Sequence, residues 1–212
     1  MQYFSKFASF FQDGGPFMFV ILLTGVVILA LSLERFWVIG RAASVNSGKL
    51  TRDLIRMVGK GEYSKAIALA QKVKGPVGEV AIALLNRTTV PTEEKLQNAA
   101  DGAATLVLPP LSRRLPYLNM LANSATLLGL LGTIFGLTTA FSAVGAADPA
   151  QRSAFLAAGI SQALNTTAFG LIVAVPTLLV HGFLVSKVEA IIENVDEASI
   201  RIIRSLSGGN PA

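Results

Sequence analysis

The sequence contains no cysteine and only one histidine among its 212 residues. The lack of cysteine excludes disulfide frameworks, thiol nucleophiles and iron–sulfur ligands. No zinc-protease motif, no phosphate-binding loop and no nucleophile beside a base occurs either. We therefore expect neither an enzymatic activity nor a resident cofactor or metal.

Charged residues are also few in this chain. They make up 15% of the sequence, against 52% hydrophobic residues, and the mean hydropathy is +0.57. This composition is typical of a membrane protein. Three tracts contain no Asp, Glu, Lys or Arg, namely 14–33, 115–147 and 153–186. Each tract reaches the roughly 20 residues that a helix needs to cross about 30 Å of hydrocarbon.

Most basic residues fall in two blocks that flank these tracts. The block 34–115 contains 13 of them and the block 187–212 contains three. Three membrane crossings place both blocks on one side, and the positive-inside rule makes that side cytoplasmic. The N-terminus and the loop around Asp148 then lie outside. Because the first block also holds seven acidic residues, a nucleic-acid-binding surface is not expected.

The predicted fold is an all-α membrane protein with three transmembrane helices and a small cytoplasmic helical bundle. The second and third transmembrane helices are long and extend into the cytoplasm. The first tract is not interpreted as a secretory signal, because it is too long and ends in Glu34–Arg35. The predicted segments are an outer-surface amphipathic helix (1–13), transmembrane helix 1 (14–35), a cytoplasmic helical region (36–112), transmembrane helix 2 (113–147), transmembrane helix 3 (153–186) and a cytoplasmic C-terminal helix and tail (187–212).

Small residues follow one face of each long tract, at alternating spacings of three and four. On the second tract they are Ala122, Thr126, Gly129, Thr133, Gly136, Ala140 and Ala143. On the third they are Gly159, Ala163, Thr167, Gly170, Ala174, Thr177 and His181. Such faces let helix backbones approach closely in a membrane. Packing alone is one interpretation of them, and a polar path lined by hydroxyl groups is the other.

Two hydroxyl groups lie at matched depth on these faces. Thr133 precedes Asp148 by 15 residues and Thr167 follows Arg152 by 15 residues, about 22 Å of helix from the outer loop in each case. We predict that both line an ion path. Further predicted path residues with side-chain oxygens are Asn165, Thr166 and Gln162. The predicted packing and pore-lining residues are Thr126, Gly129, Gly132, Gly136, Ala163, Gly170 and Pro176.

Neither long tract contains a carboxylate. Because a buried ionisable group is the usual mark of a proton relay, the charge-carrying acid is expected to come from another protein. His181 is interpreted as a packed or interfacial residue. The alternatives are a passive membrane scaffold, in which the small faces serve packing only, and a carrier that moves ions alone.

Two segments of the chain resemble the signature helices of the MotA/TolQ/ExbB family, closest to its ExbB and TolQ branch. They are ATLLGLLGTIFGLTTAF (125–141) and GISQALNTTAFGLIVAVP (159–176). Glu34–Arg35 and RRLPYL before the second tract also fit, so the resemblance spans nearly the whole chain.

The resemblance implies an inner-membrane channel subunit that couples ion flow to mechanical work. It implies a homopentamer around two helices of an ExbD-, TolR- or MotB-like single-span partner, whose aspartate takes up the ion. The work would serve outer-membrane transport, envelope maintenance or motility.

The resemblance also bears on individual residues. Thr133 and Thr167 occupy the pore-lining threonine positions of the family. Gln162 stands where ExbB and TolQ commonly carry a glutamate, and Thr126 replaces a usual proline. The paired hydroxyls of Thr166 and Thr167 are similar to those of sodium-driven members. The proton is the preferred ion, and Na⁺ is the alternative.

Overall fold

The computed structural model describes residues 10–86 and 92–207, and the chain divides into two compact units. Unit 1 combines 1–33 with 116–182, and unit 2 combines 34–115 with 183–212. Residues 10–13 are helical. The helices that follow are α1 (Pro16–Ala43), α2 (Ser47–Gly59), α3 (Tyr63–Lys72), α4 (Pro76–Leu85), α5 (Glu93–Val107), α6 (Pro109–Ser112), α7 (Leu115–Ala146) and α8 (Arg152–Leu206).

The all-α prediction is confirmed, since the residues that the structure describes form no strand. Helices α1, α7 and α8 each contain a stretch long and apolar enough to cross a membrane. On α1 the side chains of Phe19, Leu23 and Leu33 are more than 60% exposed. Apolar surface of this extent is unfavourable in water but matches a lipid environment. The chain is therefore an integral membrane protein.

In unit 1, α7 and α8 run antiparallel and are joined by residues 147–151, which we call the loop end. Helix α1 packs against α8, where Met18 and Ile21 are fully buried beside Phe169. The rings of Phe10 and Phe11 also meet Phe169 edge to face. Residues 10–13 are thus held against α8, whereas residues 1–9 of the predicted amphipathic helix lie outside the described residues.

Helix α8 continues without a break from Arg152 to Leu206. The predicted third transmembrane helix and the predicted C-terminal helix are therefore one helix. Pro176 lies inside it, and because proline has no amide hydrogen, the carbonyl of Ile172 lacks its usual helical donor. The last residues of the predicted tail, 208–212, lie outside the described part of the chain.

Unit 2 has a single apolar core among its described helices. Helices α2, α3, α4 and α5 pack with the C-terminal part of α8 around one apolar cluster that includes Leu54, Leu84, Leu96 and Ile202, each at most 1% exposed. Helix α2 is amphipathic, with its apolar side chains in this cluster and its charged ones outside. Burial of apolar surface from water stabilises this unit.

Arg35 is the one buried charge of this unit within the described residues, at 4% exposure. Its Nε donates to the carboxylate of Glu34 at 2.9 Å, and its Nη1 donates to the carbonyl of Pro110 at 3.0 Å. Glu34 also accepts from Arg114 at 2.7 Å. These bonds tie the part of α1 after the first apolar tract to the turn that precedes α7.

Replacing Arg35 with alanine should lower stability markedly. The change removes the donor to the Pro110 carbonyl and one of the two cations that bind Glu34. It should lower the free energy of unfolding by on the order of 2–3 kcal/mol. Arg114→Ala is the matched control, because Arg114 is exposed and its pair contributes at most about 1 kcal/mol. The check is the apparent melting temperature of the purified protein in detergent. Equal losses in the two variants would contradict this account of Arg35.

Candidate functional site

The α7–α8 interface brings two helix backbones into direct contact. On α7 the buried small residues are Ala122, Ala125, Gly129, Gly132, Gly136 and Ala140. The predicted face shares four of these positions, but it also included Thr126 and Thr133, which are exposed and half-buried. The contact face is therefore rotated slightly from the predicted one, and these two threonines lie at its edge.

Glycine is required at this interface by the closeness of the opposing backbone. A Cβ atom on Gly170 would lie 2.7 Å from the carbonyl oxygen of Ala125, and one on Gly129 would lie 3.2 Å from Cα of Thr167. A Cβ on Gly136 would lie 3.2 Å from the amide nitrogen of Ala163. At Gly170 a Cβ would force the opposing backbone to move, and at Gly129 and Gly136 it would make an unusually tight contact. Packing at this distance is what holds helices together where lipid supplies no hydrophobic force.

Thr133 and Thr167 lie at the edge of the interface that faces away from α1. Thr167 is half-buried and donates its hydroxyl hydrogen across the interface to the carbonyl of Gly129 at 3.0 Å. Thr133 donates to the carbonyl of Leu130 at 2.6 Å. Each residue of a helix is rotated by 100° from the one before, so Gly132 and Thr133 project to opposite sides of Gly129. Gly132 projects toward α1, so Thr133 projects away from it. The two predicted path residues therefore share one edge.

Thr166 lies on the other side of the interface and is fully buried. Its hydroxyl lies 2.8 Å from the carbonyl oxygen of Gly14 and 2.7 Å from that of Gln162. A Cβ on Gly132 would overlap the Thr166 side chain. The sequence grouped Thr166 with Thr167, but neighbours on a helix point about 100° apart. The geometry therefore separates these two hydroxyls and gives Thr166 a docking contact with the turn before α1.

Gln162 also faces the turn before α1. Gly15 in that turn has a φ of 72°, a left-handed conformation that favours glycine, and a Cβ there would overlap the Gln162 amide. Asn165 is half-buried. Two predicted lining residues, Thr126 and Pro176, are exposed.

The turn of Gly14 and Gly15, which follows the helical residues 10–13, makes a contact that sequence reasoning missed. The sequence analysis placed only a boundary between segments 1–13 and 14–35 here, although two glycines ahead of a helix-starting proline are a signal for a close backbone contact. Gly14 contacts Thr166, which follows the first residue of α8 by 14 residues. The start of α1 therefore lies beside this point of α8 and not beside its first residue. About 21 Å of α8 therefore extends past the start of α1 toward the loop end.

The sequence of the chain is similar to those of a proton channel family. The model of the MotA/TolQ/ExbB proton channel family matches residues 71–197. An ExbB-like protein of Synechocystis sp. is 31% identical over 179 residues, which cover 83% of this chain and 69% of that protein. The TolQ protein of the Tol-Pal system of Haemophilus influenzae is 33% identical over 53% of this chain and 51% of its own. Biopolymer transport protein ExbB of Aquifex aeolicus is 37% identical over 37% of this chain and 52% of its own.

Adding one methyl group at the interface should destabilise unit 1. In Gly170→Ala the new Cβ meets the backbone of α7, so the helices must separate at a cost of about 1–3 kcal/mol. Gly182→Ala in the same helix is the matched control, because a Cβ there has no neighbour within 4 Å and alanine favours the helix by up to about 1 kcal/mol. Melting temperature and size-exclusion profile in detergent give the comparison. If both variants melt like the parent protein, the close contact is not required.

Proposed function

The chain belongs to the MotA/TolQ/ExbB proton channel family, and from this premise we propose that it couples the proton motive force to mechanical work. Members of this family are channel and transport subunits, so the chain is not an enzyme. In the proposal it acts in the bacterial inner membrane and energises outer-membrane transport or envelope maintenance, as the names of its relatives suggest, or motility.

One inference from the geometry supports this proposal. With Gly132 and Thr166 on the α1 side, helical periodicity puts Thr133 and Thr167 on the edge of the α7–α8 interface that faces away from α1. Hydroxyl groups both donate and accept hydrogen bonds, so they can stabilise a proton or a hydrated cation passing along that edge. A threonine hydroxyl does not ionise near neutral pH and takes up no net charge. The wall is therefore suited to guide an ion rather than to carry it.

The carrier in this proposal is an aspartate on a single-span partner of the ExbD or TolR kind. Copies of this chain, five in the family's arrangement, surround the partner helices with their oxygen-bearing edges inward. Protonation of the aspartate changes its attraction to that wall, which gives two states that the ion gradient can drive. The membrane potential supplies about 2.3 kcal/mol per charge for each 100 mV.

The division of the chain into two units supports the proposed topology. Residues 34–115 and 183–212 fold into one compact unit, and a unit with a single core lies on one side of a membrane. That unit holds nearly all of the basic residues, so the positive-inside rule makes it cytoplasmic. Segments 14–35, 113–147 and 153–186 then cross the membrane, with the N-terminus and the loop end on the periplasmic side.

The separation of Thr166 from Thr167 favours the proton over Na⁺. The sodium alternative rests on two adjacent hydroxyls as ligands of one ion, because hard cations prefer several oxygen ligands. Thr166 instead contacts the carbonyl of Gly14, and Thr167 donates to the carbonyl of Gly129. Only Thr167 of the pair lies at the proposed path.

Removal of the hydroxyl groups of Thr133 and Thr167 should abolish ion-driven activity, while the oligomer stays assembled. Thr133→Val and Thr167→Val keep the side-chain shape and remove the polar atom. The measurement is proton flux into vesicles that contain this chain and its partner, and we expect at least about a tenfold loss in the double variant, or about 1.4 kcal/mol. Thr138→Val is the matched control, because Thr138 is exposed on the opposite face of α7.

Two further measurements separate the alternatives. A passive scaffold keeps its cellular activity when an uncoupler collapses the proton gradient, whereas the proposed subunit loses it. A carrier that acts alone produces flux without the partner, whereas the proposed subunit does not. Full flux in Thr133→Val/Thr167→Val vesicles would overturn the assignment of the path.

A further inference from the structure

Three aromatic side chains of unit 2 are exposed where two apolar tracts end. Phe36 and Trp37 follow the tract 14–33 on α1, and Phe183 lies near the end of the tract 153–186 on α8. Their side chains are 50%, 67% and 49% exposed, respectively. The rings of Phe36 and Phe183 stack, with their centroids 5.7 Å apart. Aromatic residues at the ends of membrane-crossing helices lie at the level of the lipid headgroups, so these rings are placed to contact lipid.

A basic side chain lies over two of these rings. The guanidinium carbon of Arg41 is 5.7 Å from the centroid of the Trp37 ring, and Nζ of Lys187 is 5.5 Å from that of the Phe183 ring. The face of an aromatic ring attracts a cation, so each contact holds a flexible basic side chain beside an exposed ring. We call Phe36, Trp37, Arg41, Phe183 and Lys187 the interfacial patch.

The two cations of the interfacial patch form no ion pair with a carboxylate in the part of the chain that the structure describes. No acidic residue occurs among 35–52. Glu34 already binds two arginines, and Glu189 projects to another side of α8, because two residues of a helix are about 200° apart. The interfacial patch therefore carries two positive charges that no described carboxylate neutralises.

We propose that the interfacial patch binds the headgroup of an anionic phospholipid. Arg41 donates to the phosphate oxygens, since a guanidinium has several N–H donors in one plane, and Lys187 adds a second positive charge. The exposed rings contact the layer between the headgroups and the acyl chains, where one side of an aromatic residue is apolar and the other wet. An anionic lipid complements both the rings and the cations, whereas a zwitterionic lipid brings a cation of its own. Such binding depends on the membrane crossing of the chain and not on ion transport.

The single tryptophan of the chain reports which lipid lies beside the interfacial patch. Its fluorescence is quenched by neighbouring lipids with brominated acyl chains. The full chain is placed in vesicles of phosphatidylglycerol and phosphatidylcholine, with the bromine on one lipid or the other. Phosphatidylglycerol should bind beside Trp37 about three to ten times more strongly than phosphatidylcholine. Arg41→Gln should lower this preference about threefold, and Arg41→Gln/Lys187→Gln should nearly remove it.

Arg204→Gln is the matched control. It removes the same charge from an exposed position on α8, about 25 Å of helix beyond Lys187, and it should leave the preference unchanged. An equal loss in Arg204→Gln and Arg41→Gln would indicate a diffuse effect of net charge and overturn the site. Equal quenching by the two lipids in the parent protein would overturn it too. So would the absence of quenching by either lipid, since another protein surface would then cover Trp37.

A second measurement checks the folding of the variants and uses no fluorescence. In detergent without added lipid, the parent protein and Arg41→Gln/Lys187→Gln should melt at the same temperature by circular dichroism, because both substituted side chains are exposed. Phosphatidylglycerol should raise the melting temperature of the parent more than that of the double variant, because a ligand stabilises the state that binds it. Phosphatidylcholine should act equally on both. An equal rise with phosphatidylglycerol in the two proteins would contradict binding at the interfacial patch.

Discussion

The close contact between the backbones of α7 and α8 is the constraint on which the rest of unit 1 depends. Lipid provides no hydrophobic force between membrane helices, so their association requires contacts that only small residues permit. Gly129, Gly136 and Gly170 provide them. Since this contact determines how each helix is rotated about its axis, it also determines which polar side chains share an edge. It thereby brings Thr133 and Thr167 to one edge and turns Thr166 toward α1.

The side of the interface that faces α1 has a different chemistry. There the turn of Gly14 and Gly15 meets Thr166 and Gln162, and phenylalanine rings cover the neighbouring turn of α8. On this side the hydroxyl of Thr166 contacts the carbonyl oxygen of Gly14. On the opposite edge the hydroxyls of Thr133 and Thr167 donate to carbonyls of α7, and their oxygen atoms can still accept a hydrogen bond. The α7–α8 pair therefore has a surface that binds the turn before α1 on one side and a candidate ion path on the other. The close contact at the glycines lies between the two.

In unit 2 the apolar side chains lie inside and the charged ones outside, unlike in unit 1. This difference explains why helix packing is easier to predict from the sequence in unit 2. Its amphipathic helices bury apolar faces against one another, and in α2 the buried residues recur at helical spacing in the sequence. In unit 1 the apolar residues point both inward and toward lipid, so hydrophobicity does not distinguish the two faces. Small residues mark the contact, but Thr126 shows that a small residue at the right spacing can still be exposed.

The sequence by itself determined the all-helical membrane class, the three apolar tracts, the small faces and the lack of a carboxylate in the two long tracts. The tertiary structure decided which neighbours Thr166 and Gln162 contact. Helical periodicity tells which residues share a face, but it does not tell which way that face points. That direction depends on contacts such as Gly14 with Thr166, which join residues 152 positions apart, and a local pattern holds no information about them.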